Sequence, residues 1–271
     1  MNRFTTLAVL NVVAYVSTLV INFLSQSASV LGFKPFPYTV AELGESRALF
    51  FLPAGYVFAI WGVIYLGLGA FAVYQARAAN REAVVNQIGW WFIISSLGNM
   101  TWLVLFLNNQ IVASTVAMLV ILVALIAIYL RLGIGRSAVS AAERWAVHIP
   151  FSIYLGWITV ATVANVAAAL YDGGSVTGFL GLSADIWAVA MMAIAVAITL
   201  AMIYRHRDVA YALVVVWALA GIYARPFTTP VFEPVAALNA GLVDGAALLL
   251  AIGVAVAAAA GWFLRRPAAR A

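Results

Sequence analysis

Long apolar stretches recur along the whole chain of 271 residues, and they limit the fold more than any other feature. A helix needs about 20 mostly apolar residues to cross the hydrocarbon core of a bilayer. Hydrophobic residues make up 66% of the chain and charged residues 8%, too few to cover the outside of a soluble domain. The sequence therefore predicts an all-α polytopic membrane protein with eight transmembrane helices. We place these helices near residues 5–25, 53–76, 86–107, 111–131, 146–170, 185–204, 209–224 and 237–264, the seventh being the shortest.

The basic residues indicate how these eight helices are oriented. Short cytoplasmic loops carry the excess of Lys and Arg in membrane proteins. Eleven of the 14 basic residues fall on one side of the predicted bundle: Arg3, Arg77, Arg81, Arg131, Arg136, Arg144, Arg205, Arg207, Arg265, Arg266 and Arg270. The other side has Lys34, Arg47 and Arg225. We therefore predict a multi-pass protein of the inner cell membrane with both termini in the cytoplasm and contacts to membrane lipid. No nucleic-acid partner is expected, because no basic face stands apart from the span ends.

Several chemistries are excluded by residues that the chain lacks. It has no cysteine, which removes disulfides, thiol catalysis and Cys metal sites. Its one lysine, Lys34, falls in a loop, so no span carries the amine that a retinal Schiff base requires. Glu82, Glu143 and Asp208 sit among the cytoplasmic arginines and are expected to be solvated. Asp244 is expected at the end of a tilted helix, with proton coupling through it as the alternative.

Three tryptophans fall deeper in their spans than the others. Trp61, Trp102 and Trp157 are the deep ones, whereas Trp90, Trp91, Trp145, Trp187 and Trp262 lie near span ends and are assigned to the interfacial belt. The deep ones have Asn and Thr neighbours, and such groups must be satisfied inside a bundle or a cavity. Indole rings stack on extended π-systems, so a cavity of this kind suits a large, flat, mostly apolar ligand with a few polar edges. Ordinary packing between helices is the alternative.

Two connections carry further information. The segment from Ser25 to Leu52 is long for a compact bundle and lies on the non-cytoplasmic side, above Pro53. Loops of this length are often lids or binding loops, and an ordinary interfacial loop is the other interpretation. In contrast, only residues 108–110 connect the third and fourth spans, which must therefore be antiparallel neighbours.

Three of the spans carry motifs that occur together in one family. The second span begins Pro53-Ala54-Gly55-Tyr56-Val57-Phe58 and continues with Trp61 and Ile64-Tyr65. The third contains Asn99 and Trp102 in the pattern Asn-x-x-Trp. The fifth contains Trp157, Ala161, Thr162 and Asn165 in the pattern Trp-x-x-x-Ala-Thr-x-x-Asn. In these motifs and their order, residues 1–172 resemble the TspO/MBR translocator protein family, also called tryptophan-rich sensory proteins.

The resemblance implies a five-helix bundle in residues 1–172, in which the first long loop covers a pocket for a tetrapyrrole such as protoporphyrin IX or haem. By this resemblance Trp61 and Trp157 stack on the ligand and Asn99 and Thr162 supply hydrogen bonds. No catalytic residue, metal ligand or obligatory cofactor is implied. The full set of expected ligand-binding residues is Phe58, Trp61, Tyr65, Asn99, Trp102, Trp157, Ala161, Thr162 and Asn165. Lys34 and Arg47 are candidates to pair with porphyrin propionates.

The chain departs from the family pattern in three places. Ala54 and Tyr56 stand where the family has Pro and Trp, so the rim of the pocket is expected to differ. Asp172 follows Tyr171 in place of a basic residue, which makes a sterol the less favoured ligand. Residues 183–265 add a three-helix transmembrane extension, which is a candidate to replace the homodimer contact common in the family.

These observations predict a protein that binds a porphyrin or similar hydrophobic ligand for sensing or transport. Light-dependent porphyrin breakdown, described in the family with dispute, is left open, and otherwise no enzyme activity is expected. A small-solute permease that uses all eight spans is the alternative function. A membrane scaffold protein is the third.

Overall fold

A computed structural model of the protein describes residues 3–46, 49–170, 181–225 and 240–263. The described residues form eleven α-helices: α1 Arg3–Leu31, α2 Val40–Glu45, α3 Ile60–Ala76, α4 Ala78–Ile88, α5 Trp91–Leu107, α6 Ile111–Leu132, α7 Ala141–Glu143, α8 Ile149–Leu170, α9 Ala184–His206, α10 Val209–Tyr223 and α11 Ala240–Phe263. A 3-10 turn, Gly55–Ala59, leads into α3, and a π-helical turn, Arg144–His148, leads into α8. The predicted fold class is confirmed, since the chain is an all-α polytopic membrane protein.

The helices differ in how well they fit a bilayer. By length and apolar composition, six helices of the described ranges can cross a membrane. The third predicted span is instead a bent pair, in which Glu82–Ile88 and Trp91–Leu107 meet at 55°; if the pair is counted as one span, the number of crossings is seven. The bend falls at Gly89, whose φ of +58° lies in the left-handed region that favours glycine. The seventh predicted span is α10, whose 15 residues extend about 22 Å at 1.5 Å per residue.

α8 lies at the centre of the bundle. It packs against α3, α6 and α10, and residues 154–160 are all buried. Two glycines allow its neighbours to come close. A Cβ on Gly67 of α3 would lie 2.9 Å from Cβ of Pro150, and one on Gly156 would lie 3.2 Å from the carbonyl oxygen of Tyr211 in α10. Because α8 is apolar and its middle is buried against three helices, it is the scaffold on which these helices are arranged.

Two amide side chains of α1 donate hydrogen bonds to other helices. The Nδ2 of Asn11 donates to Oε1 of Gln75 in α3 at 2.9 Å, and the Nδ2 of Asn22 donates to Oδ1 of Asn99 in α5 at the same distance. Asn11, Gln75 and Asn99 are fully buried. Hydrogen bonds between helices replace water inside a membrane bundle, so these amides fix the position of α1.

Asp208, just before α10, is not solvated as predicted, since it is only 6% exposed. Its carboxylate accepts hydrogen bonds from the Tyr129 hydroxyl of α6 at 2.8 Å and from the Ser152 hydroxyl of α8 at 2.6 Å. It also accepts from the backbone N–H of Tyr211 at 3.0 Å, which caps α10. The neighbouring arginines made the sequence look like an exposed loop, but the two side-chain donors, Tyr129 and Ser152, come from distant parts of the chain.

The predicted hairpin of α5 and α6 is confirmed, and it packs tightly because a Cβ on Gly98 would lie 2.9 Å from Ile121 Cγ1. The last three helices also pack together, and α10 contacts both α8 and α11. The predicted division into residues 1–172 and 183–265 stays a prediction. Its boundary falls largely in residues 171–180, which lie outside the described ranges.

Candidate ligand-binding site

The three deep tryptophans meet although they come from three different helices. The ring centroid of Trp61 in α3 lies 6.2 Å from that of Trp102 in α5 and 6.3 Å from that of Trp157 in α8. Trp61 is also stacked on Tyr65 at 5.5 Å, and Phe58 meets Trp157 edge-on at 5.7 Å. Trp102 and Trp157 are 6% and 2% exposed. Of the five tryptophans assigned to the belt, Trp90, Trp145 and Trp262 are more than half exposed, whereas Trp91 and Trp187 are partly buried.

A cavity opens beside this aromatic cluster. Its volume is about 670 Å³, which includes space open to the outside. Its walls are α3, α5, α6 and α8, and the lining is almost entirely apolar. On α8 the lining residues follow helical spacing from Trp157 through Ala161 and Ala164 to Ala168, so that one face presents an indole followed by small side chains. The small residues leave the space and the aromatic ones give it flat walls.

Six of the nine predicted site residues line this cavity: Phe58, Trp61, Trp102, Trp157, Ala161 and Asn165. Tyr65, Asn99 and Thr162 do not. Tyr65 supports Trp61 from behind, and Asn99 accepts the hydrogen bond from α1. The hydroxyl of Thr162 donates to the carbonyl oxygen of Ile158 in its own helix at 2.6 Å, which occupies the donor that the prediction assigned to a ligand.

Asn165 joins three of the four helices that wall the cavity. Its Oδ1 accepts from Nε1–H of Trp102 at 3.0 Å. Its Nδ2 donates to the hydroxyls of Thr115 at 2.6 Å and Ser114 at 3.1 Å, both in α6. One amide on α8 thus fixes the ring plane of a cavity tryptophan and ties α5, α6 and α8 together. These hydrogen bonds hold the Asn165 side chain in the cavity wall, where it shapes the cavity.

The indole N–H of Trp157, unlike that of Trp102, has no hydrogen-bond acceptor among the described residues. The Nε1 atom of Trp157 is buried. A buried donor without a partner costs about 1–3 kcal/mol. A ligand with an acceptor atom at this position would relieve that cost.

The long first loop covers the mouth of the cavity, as one of its two interpretations predicts. Val40, Leu43 and Gly44 of α2 line the cavity, together with Leu49 and Leu52. None of these five was predicted. The sequence offered only the length of the loop as a signal, because a six-residue helix has no clear hydrophobic pattern.

α2 is held by its first turn. The Thr39 hydroxyl accepts from the backbone N–H of Glu42 at 3.2 Å, and the Glu42 carboxylate accepts from the backbone N–H of Thr39 at 2.6 Å, which forms a capping box. Lys34 pairs with the same carboxylate at 3.2 Å. The Thr39 N–H, followed by Lys34, lowers the pKa of Glu42. Arg47, the other candidate for propionates, lies outside the described residues.

The fold and the cavity together define a class of protein, namely a polytopic helical membrane protein with an aromatic ligand cavity beneath a loop. A family model described as TSPO-like protein matches residues 8–260. The chain therefore belongs to the TSPO-like protein family, as its motifs predicted. Membership points to ligand binding or transport in a membrane. No curated protein and no solved structure matches the chain significantly.

The extent of the match differs from the prediction. The motifs lie within residues 1–172, whereas the family match continues to residue 260 and takes in α9, α10 and most of α11. The view that these helices extend a five-helix core stays a prediction. Within the described residues, no group of three or more His, Cys, Asp or Glu side chains is placed to hold a metal ion.

Proposed function

We propose that the protein binds a porphyrin or haem-like tetrapyrrole within the membrane, for sensing or transport. The observation that carries the proposal is the cavity walled by Trp61, Trp102 and Trp157 and covered by α2. Its lining is almost entirely apolar and includes three indole rings, as expected of a site for a largely apolar small molecule. Sterols fit less well, because a flat aromatic macrocycle uses the indole faces and a puckered ring system does not.

The way in which the rings are packed supports a flat ligand. Trp61 is stacked against both Tyr65 and Trp102, with interplanar angles of 21° and 27°. A planar macrocycle exchanges such ring contacts for equivalent ones of its own, so the rearrangement costs little. The N–H of Trp157 then donates to an acceptor of the ligand.

Lys34 extends the proposal to the ligand's carboxylates. Its side chain is 46% exposed, and its ammonium group is already paired with Glu42. A propionate at the outer surface would therefore compete with Glu42. The test compares protoporphyrin IX with its dimethyl ester. Neutralising Lys34 and Arg47 should weaken binding of the free acid and leave the ester unchanged, and equal effects on both ligands would remove this part of the proposal.

Titration with protoporphyrin IX tests the main proposal, with tryptophan quenching and the Soret band as signals. Wild type should bind saturably at micromolar concentration or tighter, about 8 kcal/mol. Trp157→Phe removes the unpartnered N–H and should weaken binding. Trp145→Phe is the matched control, since Trp145 is 70% exposed, and it should bind like wild type. Absence of saturable binding, or equal loss in both variants, contradicts the proposal.

The same samples address the other proposed properties. A Soret band of bound porphyrin that is stable under illumination would agree with binding alone. Bleaching of this band in the presence of wild type but not of Trp157→Phe would indicate light-dependent breakdown. The permease alternative depends on Asp244, in the second turn of α11. Solute uptake into vesicles that survives Trp157→Phe but fails in Asp244→Asn would favour it. We further propose an inner-membrane location, cytoplasmic termini and a homodimer, to be checked by terminal tags and by crosslinking in lipid.

A further inference from the structure

The rim of the cavity, residues 49–57, is bound to α10 by hydrogen bonds. Nη1 of Arg225, just after α10, donates to the carbonyl oxygens of Leu49 at 2.8 Å and Leu52 at 3.1 Å. The backbone N–H of Ala54 donates to the carbonyl oxygen of Gly221 at 3.0 Å. These bonds join the segment that covers the ligand cavity to a helix that contributes nothing to its lining.

Side chains reinforce the same attachment. Nε1–H of Trp217 donates to the carbonyl oxygen of Val57 at 3.0 Å, and the ring of Trp217 meets Tyr56 edge-on at 5.5 Å. Gly221 permits the contact, because a Cβ there would collide with Cγ2 of Val57 and lie 3.1 Å from Cβ of Pro53. Val57 is completely buried as a result. The rim therefore rests on α10 through backbone groups and packing.

The rim carbonyl oxygens that accept from Arg225 and Trp217 are not easily supplied with other donors. In an apolar surrounding a carbonyl oxygen that loses its donor finds no water to replace it. Movement of residues 49–57 away from the cavity would break the bonds to Arg225 and Trp217 together. A cationic donor such as Arg225 also makes stronger hydrogen bonds than a neutral one. Opening of the rim is thus coupled to release from α10.

We infer that α10 holds the rim closed and that Arg225 and Trp217 are positioning residues that set the rates of ligand access and release. The inference rests on the proposed ligand cavity, and it gives the C-terminal helices a role in ligand binding. Because the same contacts oppose both entering and leaving, their loss should speed both rates. The equilibrium affinity should change much less than the rates.

Stopped-flow binding of protoporphyrin IX to the full-length protein tests this inference. In Arg225→Gln and in Trp217→Phe, the association and dissociation rates should each rise about tenfold, the factor equivalent to about 1.4 kcal/mol. Arg225→Lys keeps one cationic donor and should restore most of the wild-type rates. Arg205→Gln, which makes the same charge change on an exposed residue of α9, and Trp145→Phe are the matched controls. A rise in dissociation alone would indicate a lost ligand contact and would overturn the inference.

A second measurement needs no porphyrin. The chain lacks cysteine, so Ala168→Cys places a single thiol in the cavity wall at a site that is 8% exposed. A water-soluble maleimide should label this thiol several times faster when Arg225→Gln or Trp217→Phe is added, and at an unchanged rate with Arg205→Gln. Equal labelling in all backgrounds refutes the rim inference. Faster labelling without any porphyrin binding would refute the proposed ligand and leave the rim inference standing.

Discussion

The hydrogen bond between Trp102 and Asn165 gives a quantitative test of how the cavity is built. Removal of the Asn165 amide takes away the acceptor of the Trp102 Nε1–H, which donates to the amide oxygen at 3.0 Å. The two residues are 6% and 4% exposed, so water does not take over the bond. An orphaned buried donor costs about 1–3 kcal/mol in water-soluble proteins. Hydrogen bonds between membrane helices average about 0.6 kcal/mol and reach about 1.7 kcal/mol in double-mutant cycles.

We therefore expect a coupling free energy of about 0.6–1.7 kcal/mol between Trp102→Phe and Asn165→Ala. Asn165→Ala alone should lower the free energy of unfolding by more than this coupling energy, since it also removes the N–H donors to two hydroxyls of α6. Ser114 and Thr115 suffer little, because each also donates to the carbonyl oxygen of Ile111. The excess cost of the alanine variant should thus come mainly from the volume it empties.

The assay is reversible unfolding in mixed micelles with increasing SDS, applied to wild type, both single variants and the double variant. Trp217→Phe with Asn165→Ala is the matched control pair, since Trp217 bonds to Val57 instead. Its effects should add within about 0.3–0.5 kcal/mol, as for independent sites. Additive effects in the Trp102 cycle as well would refute the claim that this bond ties α5 to α8.

Three further predictions concern a close helix contact, a buried carboxylate and the capping box of α2. Gly67→Ala should destabilise the protein by about 1–3 kcal/mol through overpacking against Pro150. Gly62→Ala in the same helix meets open space and should be neutral or stabilising by up to about 1 kcal/mol. Equal effects of the two variants on unfolding in micelles would contradict this prediction. Asp208→Asn should cost about 1–3 kcal/mol by the same assay, because one of the oxygens that accept from buried donors becomes an N–H₂ group, and wild-type stability would exclude the role given to this carboxylate. Because the folded pKa of Glu42 is lowered, its support of α2 is fully present above the ordinary glutamate pKa of about 4.3 and is lost as pH falls through the lower value. Amide exchange in α2, corrected for intrinsic rates, should accelerate only below that range, and the transition should vanish in Glu42→Gln.

The spans and the deep tryptophans could be predicted because both depend on local sequence. Hydropathy gives the length of each helix, and the distance of Trp61, Trp102 and Trp157 from the span ends separates them from the interfacial belt. The role of Thr162 could not be predicted in this way. A threonine hydroxyl either faces a cavity or bonds to the carbonyl of residue i−4, and sequence does not distinguish these states. In the structure the Thr162 hydroxyl donates to the carbonyl oxygen of Ile158.

The attachment of the rim was also out of reach, for a different reason. Trp217 and Arg225 were both visible in the sequence, one as a tryptophan without an assigned role and the other as one of three basic residues on the outer side. Their acceptors are backbone carbonyls more than 150 positions earlier in the chain. Backbone groups are present at every residue, so no sequence pattern indicates which of them accepts. Only the arrangement of the helices identifies the partners.

The short length of α10 affects the charged residues at both of its ends. At about 22 Å the helix does not reach across a hydrocarbon core of about 30 Å, so Asp208 before it and Arg225 after it cannot both be in water. Each is satisfied by protein instead, Asp208 by α6 and α8 and Arg225 by the rim. Their signs also complement the helix dipole, negative at the N-terminus and positive at the C-terminus. A longer α10 would carry both charges out to solvent and would leave the rim carbonyls without a donor, so the feature that made this span hardest to assign is also what fixes the cover of the cavity.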